Sequence, residues 1–263
     1  MTAPSRIRLI VRGDDFGMCH AVNKGIERAF TEGIVTTAST MAPCPWFGEA
    51  MKITKDFGIP VGAHQTLTCE WDYFRWRPLT DGPSLAGPDG TFRPAVELAR
   101  EHITHADGIR ELVAQIERFD SAGVRLDYLD YHMGPSLPAV YPEVSELTGV
   151  PFLYSDGVSR ELASFSELSP RDAGGKKEWM LGYLRALTPG VHVLVTHPGV
   201  AGSELESLTG PDSVPYRWAA EYRLSDLEVL TDPEVRELVN ELGITLCSLP
   251  EALADVPVAG ESS

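Results

Sequence analysis

Basic residues are scarce in this chain. Only 22 lysines and arginines stand against 38 aspartates and glutamates in 263 residues, a formal net charge of −16. That balance lacks the electrostatic footprint by which nucleic acid or an anionic membrane surface is bound, so neither is expected as a partner. Long apolar runs are also missing, and nothing approaches the roughly 20 residues of a membrane-spanning helix. The opening MTAPSRIRLIV does not read as a secretory signal, because its apolar run is short and carries Arg8 and Arg12. Cysteine is limited to Cys19, Cys44, Cys69 and Cys247, with no CxxC and no pairing-like spacing. These read as reduced thiols of a cytoplasmic protein, small buried apolar residues first of all. No Pro/Ser linker, internal repeat or low-complexity segment divides the chain. Residues 1–263 are therefore expected to form one catalytic domain, with 255–263 a disordered tail.

Histidine is sparse too, with seven in all, and the placement of three carries information. Four apolar runs end on polar, metal-binding or acid/base residues: Arg8–Gly17 (RLIVRGDDFG), Ile59–Leu67 (IPVGAHQTL), Leu126–Gly134 (LDYLDYHMG) and Val191–Gly199 (VHVLVTHPG). Runs of this length bounded by Gly and Pro read as buried strands. Between them lie helical patterns at 21–33, 46–58, 95–123, 139–149, 176–190 and 232–243. The last has Asp232 as N-cap, Pro233 in its first turn and Gly243 as C-cap. Residues 35–43 and 244–249 add strands, 151–157 a short one, and 200–230 read as loop-rich. The alternation predicts an α/β fold of about seven parallel strands, a barrel-like or open sheet. In such folds the site lies at the carboxyl ends of the strands.

The polar residues that close the runs are Asp14, Asp15, His64, His132 with Asp130, and His197. Adjacent strand residues point to opposite faces, so Asp14 and Asp15 share one site only if the strand ends there. Gly13 and Gly17 permit that turn. Asp130 and His132 are two residues apart and share a face, as suits a ligand histidine with a carboxylate behind it. Pro198 and Gly199 turn the chain after His197, leaving it a ligand, a general acid or a structural residue. An Asp/His/His set with open positions suits a hydrolytic metal site, with Mg2+ or Zn2+ as the divalent ion. It also matches the ligands of non-haem iron oxygenases. The second carboxylate favours hydrolysis, which needs a base. His102 and His105 read as a solvated helix face. Residues 68–93 break the rhythm and carry Trp71, Tyr73, Phe74 and Trp76. They read as a mobile lid whose aromatics meet the substrate.

At these residues the sequence resembles the YdjC family, the ChbG/HpnK-like carbohydrate deacetylases acting on chito-oligosaccharides. The segments that carry the resemblance are DDFGMCHAVNKGIERAFTEGIVTTAST, VGAHQTLT, PSLAGPDGTF, DYLDYHMG, VTHPG and EYRLSDLEVLTDPEVRELVNELGITLCSL, in that order from about Arg6 to Leu253. The resemblance implies a TIM-barrel-like, polysaccharide-deacetylase-like (β/α) barrel. It implies a metal-dependent hydrolase removing an N-acetyl group from an amino sugar or oligosaccharide; the protein is expected in the cytoplasm, with a homodimer as the oligomer considered. By position, Asp15, His64 and His132 would bind one divalent metal, Asp14 would be the base, and His197 the acid or a substrate contact. Ser39, Trp71, Trp76, Asp130 and Arg217 complete the set as substrate-binding candidates. Gly134 stands where many members carry a second histidine, which bears on substrate identity. A non-catalytic carbohydrate-binding protein is the remaining alternative, and the retained Asp14 argues against it.

Overall fold

A computed structural model describes residues 6–159 and 161–254, so the expected tail at 255–263 lies outside the described residues. Seven strands form one parallel sheet: β1 (Ile7–Phe16), β2 (Thr37–Thr40), β3 (Val61–Gln65), β4 (Leu129–Tyr131), β5 (Leu162–Glu167), β6 (Gly190–Thr196) and β7 (Thr245–Leu246). The order is β4-β3-β2-β1-β6-β5. β6 runs beside β1 from Ile7 to Gly13, while β2 joins the opposite edge only from Arg12. Below that point β7 takes the free edge at Arg8 and Leu9.

The sheet curves as a half-barrel with helices outside, and the alternation along each strand sorts residues between its two faces. Leu9 and Val11 pack with Ala29, Leu194 and Leu230 in the layer between sheet and helices. Ile10 instead packs with Tyr128, Val191, Val193 and Val195 on the concave side. Continuing that inner series two residues at a time reaches Arg12 and Asp14 on β1, and His197 just past β6. The same step from Tyr128 reaches Asp130 and His132. Gly62 precedes His64 on β3, and a Cβ there would lie 2.2–2.5 Å from the Tyr128 ring. Glycine at 62 thus lets the Tyr128 ring fill the barrel floor beneath the site.

No ladder joins β4 to β5 among the described residues. Aromatic rings fill this seam: Tyr131 stacks on Tyr154 with centroids 4.5 Å apart, and Tyr154 meets Phe165 at 5.6 Å. The strand expected at 151–157 reduces to one bridge, Leu129 to Phe152, before a short helix at Asp156–Ser159. β5 was not foreseen, and the loop-rich reading of 200–230 misses the helix Glu221–Leu230.

Candidate metal centre and active site

Two strands that carry site residues end in the left-handed region. Asp15 has φ +68° and Met133 φ +61°, conformations that cost a non-glycine residue free energy. At Asp15 the effect is visible: the reversal breaks the strand alternation, so Asp14 and Asp15 both face the concave rim. There Asp15 Oδ1 lies 3.5 Å from His64 Nε2 and 3.2 Å from His132 Nδ1. Donor atoms of Asp15, His64 and His132 all fall within 4.8 Å of one another, and all three residues are buried. Asp15 Oδ1 accepts no hydrogen bond. A buried carboxylate oxygen without a donor, facing two imidazole nitrogens, is what a divalent cation would satisfy.

Each histidine is held from behind by a carboxylate. His64 Nδ1 lies 2.9 Å from Asp130 Oδ1, and His132 Nε2 lies 2.9 Å from Glu70 Oε2. These partners fix the nitrogen each ring presents, Nε2 for His64 and Nδ1 for His132. Asp14 is gripped by Arg12, Nε to Oδ1 at 2.6 Å and Nη2 to Oδ2 at 2.8 Å. Arg12 Nη1 also reaches Asp130 Oδ2 at 2.8 Å. Arg223 Nη2 donates to Asp15 Oδ2 at 2.6 Å.

Asp14, Asp15, Glu70, Asp130 and Glu167 gather around Arg12 and Arg223, so carboxyl groups outnumber guanidinium groups here. Burial lowers the basicity of His64, yet Asp130 and Asp14 outweigh it and raise the ring to about 10. Burial opposes His132 likewise, and Glu70 with Asp15 raises it to about 9. Without a cation, protons on the two imidazoles would supply the missing charge. Asp15 is held well below the usual carboxylate range: burial pushes it up, and the Arg223 guanidinium is the largest influence that brings it down.

His197 sits across the cavity in a different setting. Its Nδ1 is 2.8 Å from Ser169 Oγ, and Ser169 donates to Asp226 Oδ2. Asp226 also accepts from the His197 backbone N–H at 2.8 Å and pairs with the buried Lys176. With its proton given to Asp226, Ser169 can only accept from Nδ1–H. Nε2 is left as the acceptor, on the ring that lines the cavity. Burial pushes His197 down to about 4, against the pull of Asp15 and Asp14. The ring is therefore held toward its neutral form.

Asp14, Asp15, His64, His132 and His197 all line one cavity of about 740 Å3. The other candidates lie around this cluster. Ser39 and Asp130 are fully buried behind His64, with Ser39 Oγ donating to Asp130 Oδ1 at 2.7 Å. Trp76 is buried, donates to the Thr68 carbonyl and packs its ring 6.1 Å from His132. Trp71 lines the cavity but is only 1% exposed. Arg217 is not among the residues that line the cavity and pairs with Glu221.

Residues 68–93 are tied to the body of the fold by side-chain hydrogen bonds. Arg75 bonds the carbonyls of Cys69, Trp71 and Phe92, and buried Glu111 accepts from the Leu79 and Thr80 amides. Glu70, Ser169, Arg223 and Asp226 were not foreseen as site residues. For the last two a signal existed: Arg223 and Asp226 are three apart in RLSDL, one helical face. Gly134 has φ +140° and lines the cavity. A side chain on this backbone conformation would be strained.

Comparison with known proteins follows the same lines. A profile of the family described as YdjC-like protein matches residues 8–241. A carbohydrate deacetylase of Thermus thermophilus is 32% identical, covering 93% of this chain and 94% of its own length. One of Brevibacillus brevis is 29% identical over 93% of this chain and 99% of its own. Among solved structures, an Enterococcus faecalis V583 protein, named a candidate for cellobiose-phosphate cleavage, matches with TM-score 0.75 and 24% identity. It covers 94% of this chain and 99% of that one. The chitin deacetylase of Colletotrichum lindemuthianum matches with TM-score 0.51 and 10% identity, over 98% and 92% of the two chains, and shares the fold. No described helix is long and apolar enough to cross a membrane.

Proposed function

The chain belongs to the YdjC-like family, and from that premise and the geometry of the cavity we propose that it is a metal-dependent hydrolase removing an N-acetyl group from an amino sugar or N-acetylated oligosaccharide. The observation that carries this reading is the orphaned Asp15 Oδ1 facing His64 Nε2 and His132 Nδ1, with a second carboxylate beside them. Asp15, His64 and His132 would hold the ion, either Mg2+ or Zn2+. When bound, such an ion would polarise the amide carbonyl and make a water a better nucleophile.

Asp14 is the base. Its Oδ2 lies 3.9 Å from His64 Nε2, so it borders the ligand cluster, and Arg12 holds the carboxylate in place. It takes a proton from the attacking water. His197 presents Nε2 as an acceptor and orients the amide N–H of the substrate. The proton on Asp14 then returns to the departing amine, which leaves poorly as an anion. Burial of the whole cluster excludes bulk water and strengthens each of these contacts.

The test is acetate release from N-acetylglucosamine and N,N′-diacetylchitobiose, before and after a chelator and after a divalent ion is restored. Release that survives chelation and full removal of metal rejects metal dependence. Release from no N-acetylated sugar rejects the deacetylase reading.

A further inference from the structure

Two residues that line the cavity carry buried donors with no hydrogen-bond partner among the described residues: Arg223 at Nη1 and Trp71 at Nε1. Each residue is only 1% exposed. They are neighbours, with Arg223 Cζ 5.7 Å from the Trp71 ring centroid. The rest of Arg223 is fixed. Its Nε donates to the Trp218 carbonyl at 2.9 Å and its Nη2 to Asp15 Oδ2 at 2.6 Å. Its backbone carbonyl accepts from the Gly199 N–H at 3.1 Å, and a Cβ on Gly199 would lie 3.1 Å from Arg223 Cβ. The turn after β6 is thus seated directly against Arg223. The Trp71 carbonyl accepts from Arg75 Nη1 at 3.0 Å. A buried N–H without an acceptor is costly, so a wall that holds two of them calls for an acceptor from outside the chain.

Position narrows the choice of acceptor. Arg223 grips Asp15 with one Nη, so its other Nη lies a guanidinium's width from the cluster of Asp15, His64 and His132. Hydrolysis of an amide there asks three things of the chain: a base for the water, an acceptor for the amide N–H and a donor for the acyl oxygen. Asp14 and His197 Nε2 supply the first two. Arg12 is committed on all three nitrogens, Nε and Nη2 to Asp14 and Nη1 to Asp130. A sugar hydroxyl stays neutral throughout the reaction, whereas the acyl oxygen gains negative charge. A fixed guanidinium in a buried site acts most strongly on charge that develops beside it.

We propose that Arg223 Nη1 and Trp71 Nε1 are the donors that receive the acyl oxygen of the substrate. This rests on the deacetylase reading. As the water oxygen bonds to the carbonyl carbon, its proton passes to Asp14 and the C=O π pair moves onto the acyl oxygen, toward the two N–H groups. When the C–N bond breaks, that pair re-forms the C=O bond, and the nitrogen keeps the C–N pair and takes the proton from Asp14. Arg223 so joins Asp15 to the reacting group: Nη2 fixes the carboxylate while Nη1 meets the oxygen. The product acetate retains that oxygen and meets the same two donors.

The experiment follows the Trp71 indole N–H resonance of nitrogen-labelled protein, assigned by its loss in Trp71→Phe, while acetate is added. The Trp71 resonance should move, and that of Trp76, already bonded to the Thr68 carbonyl, should not. In parallel, Trp71→Phe keeps an aromatic ring and removes only the donor. It should lower kcat for N-acetylglucosamine roughly a hundredfold, with KM and divalent-metal affinity near those of the parent. Arg223→Lys keeps a positive charge beside Asp15 but loses the forked second arm, and should lower kcat by a similar factor. A Trp71 resonance unmoved at acetate concentrations that inhibit turnover, or an unchanged kcat in Trp71→Phe, overturns the inference even though acetate is released. A raised KM with kcat kept assigns the donors to a sugar hydroxyl and overturns it too. A Trp71 resonance that moves with acetate, in a protein that releases acetate from no N-acetylated sugar, supports the donor pair and rejects the deacetylase reading instead.

Discussion

Glu70 Oε2 stands 2.9 Å from His132 Nε2, so the irregular segment after β3 supplies the group that orients a metal ligand. The His64 ring has the same arrangement with Asp130. In both cases the carboxylate sets which imidazole nitrogen faces Asp15. Replacing it should loosen the ion without removing a ligand.

Glu70→Gln should therefore weaken divalent-metal affinity by roughly ten- to a hundredfold while the fold is kept. Gln can still accept or donate one hydrogen bond, but it loses the charge that favours a strongly basic ligand ring. Competition titration against a chromogenic chelator reads the affinity, and circular dichroism reads the fold. An unchanged affinity would reduce Glu70 to a packing residue of its segment.

Asp14→Asn and Asp15→Asn should separate base from ligand. Asp14→Asn keeps the Asp15/His64/His132 set and should retain bound metal after dialysis, while turnover falls roughly a hundredfold to ten-thousandfold. Asp15→Asn removes the orphaned oxygen and should lose most of the metal. The opposite pattern, metal lost only in Asp14→Asn, assigns the ligand to Asp14 through the other buried grouping of Asp14, His64 and Asp130.

How far these residues can be read from the sequence depends on local regularity. Asp14, Asp15, His64, His132 and His197 close apolar strands, where burying a polar group is costly, and the half-barrel gathers those ends. The two-residue step also places Asp130 beside His132, but it cannot tell that Asp130 turns toward His64 across the β3–β4 pair. Glu70 lies in a segment with no period to follow. Arg223, Ser225 and Asp226 are buried on the helix Glu221–Leu230 together with Leu227, Val229 and Leu230. That helix turns charge inward as well as carbon, so its sequence shows no clean apolar stripe and the segment reads as loop. β5 (LASFSE) is an edge strand of small polar residues, half-exposed along its length, and it lacks the apolar run of its neighbours.

Trp76 and Phe165 should respond oppositely to truncation. Trp76 is buried, its Nε1 bonded to the Thr68 carbonyl and its ring beside Phe74 and His132. Trp76→Ala should cost about 3–5 kcal/mol of stability by the lost contacts and the cavity left behind. Phe165 is 44% exposed at the cavity mouth, and Phe165→Ala should shift stability far less. Denaturant unfolding of the two variants measures the difference. A Trp76→Ala protein as stable as the parent would restore Trp76 as a mobile substrate contact.

His197 should stay neutral well into acid. Burial holds its folded-state value at about 4, whereas a histidine in the unfolded chain titrates near 6.5. Between those two values the unfolded chain binds a proton that the folded protein refuses. The stabilisation is present above about 6.5 and is lost as pH falls toward about 4. Two consequences follow for measurement. Nitrogen NMR of ring-labelled histidine should find His197 as the neutral Nδ1–H tautomer at pH 7, and still unprotonated at pH 5.5, with Ser169 Oγ as its partner. The pH profile of turnover should then show no limb near 6.5 that disappears in His197→Asn. Protonation of this ring between pH 6 and 7 would remove the acceptor role assigned to Nε2 and restore His197 as the acid for the departing amine.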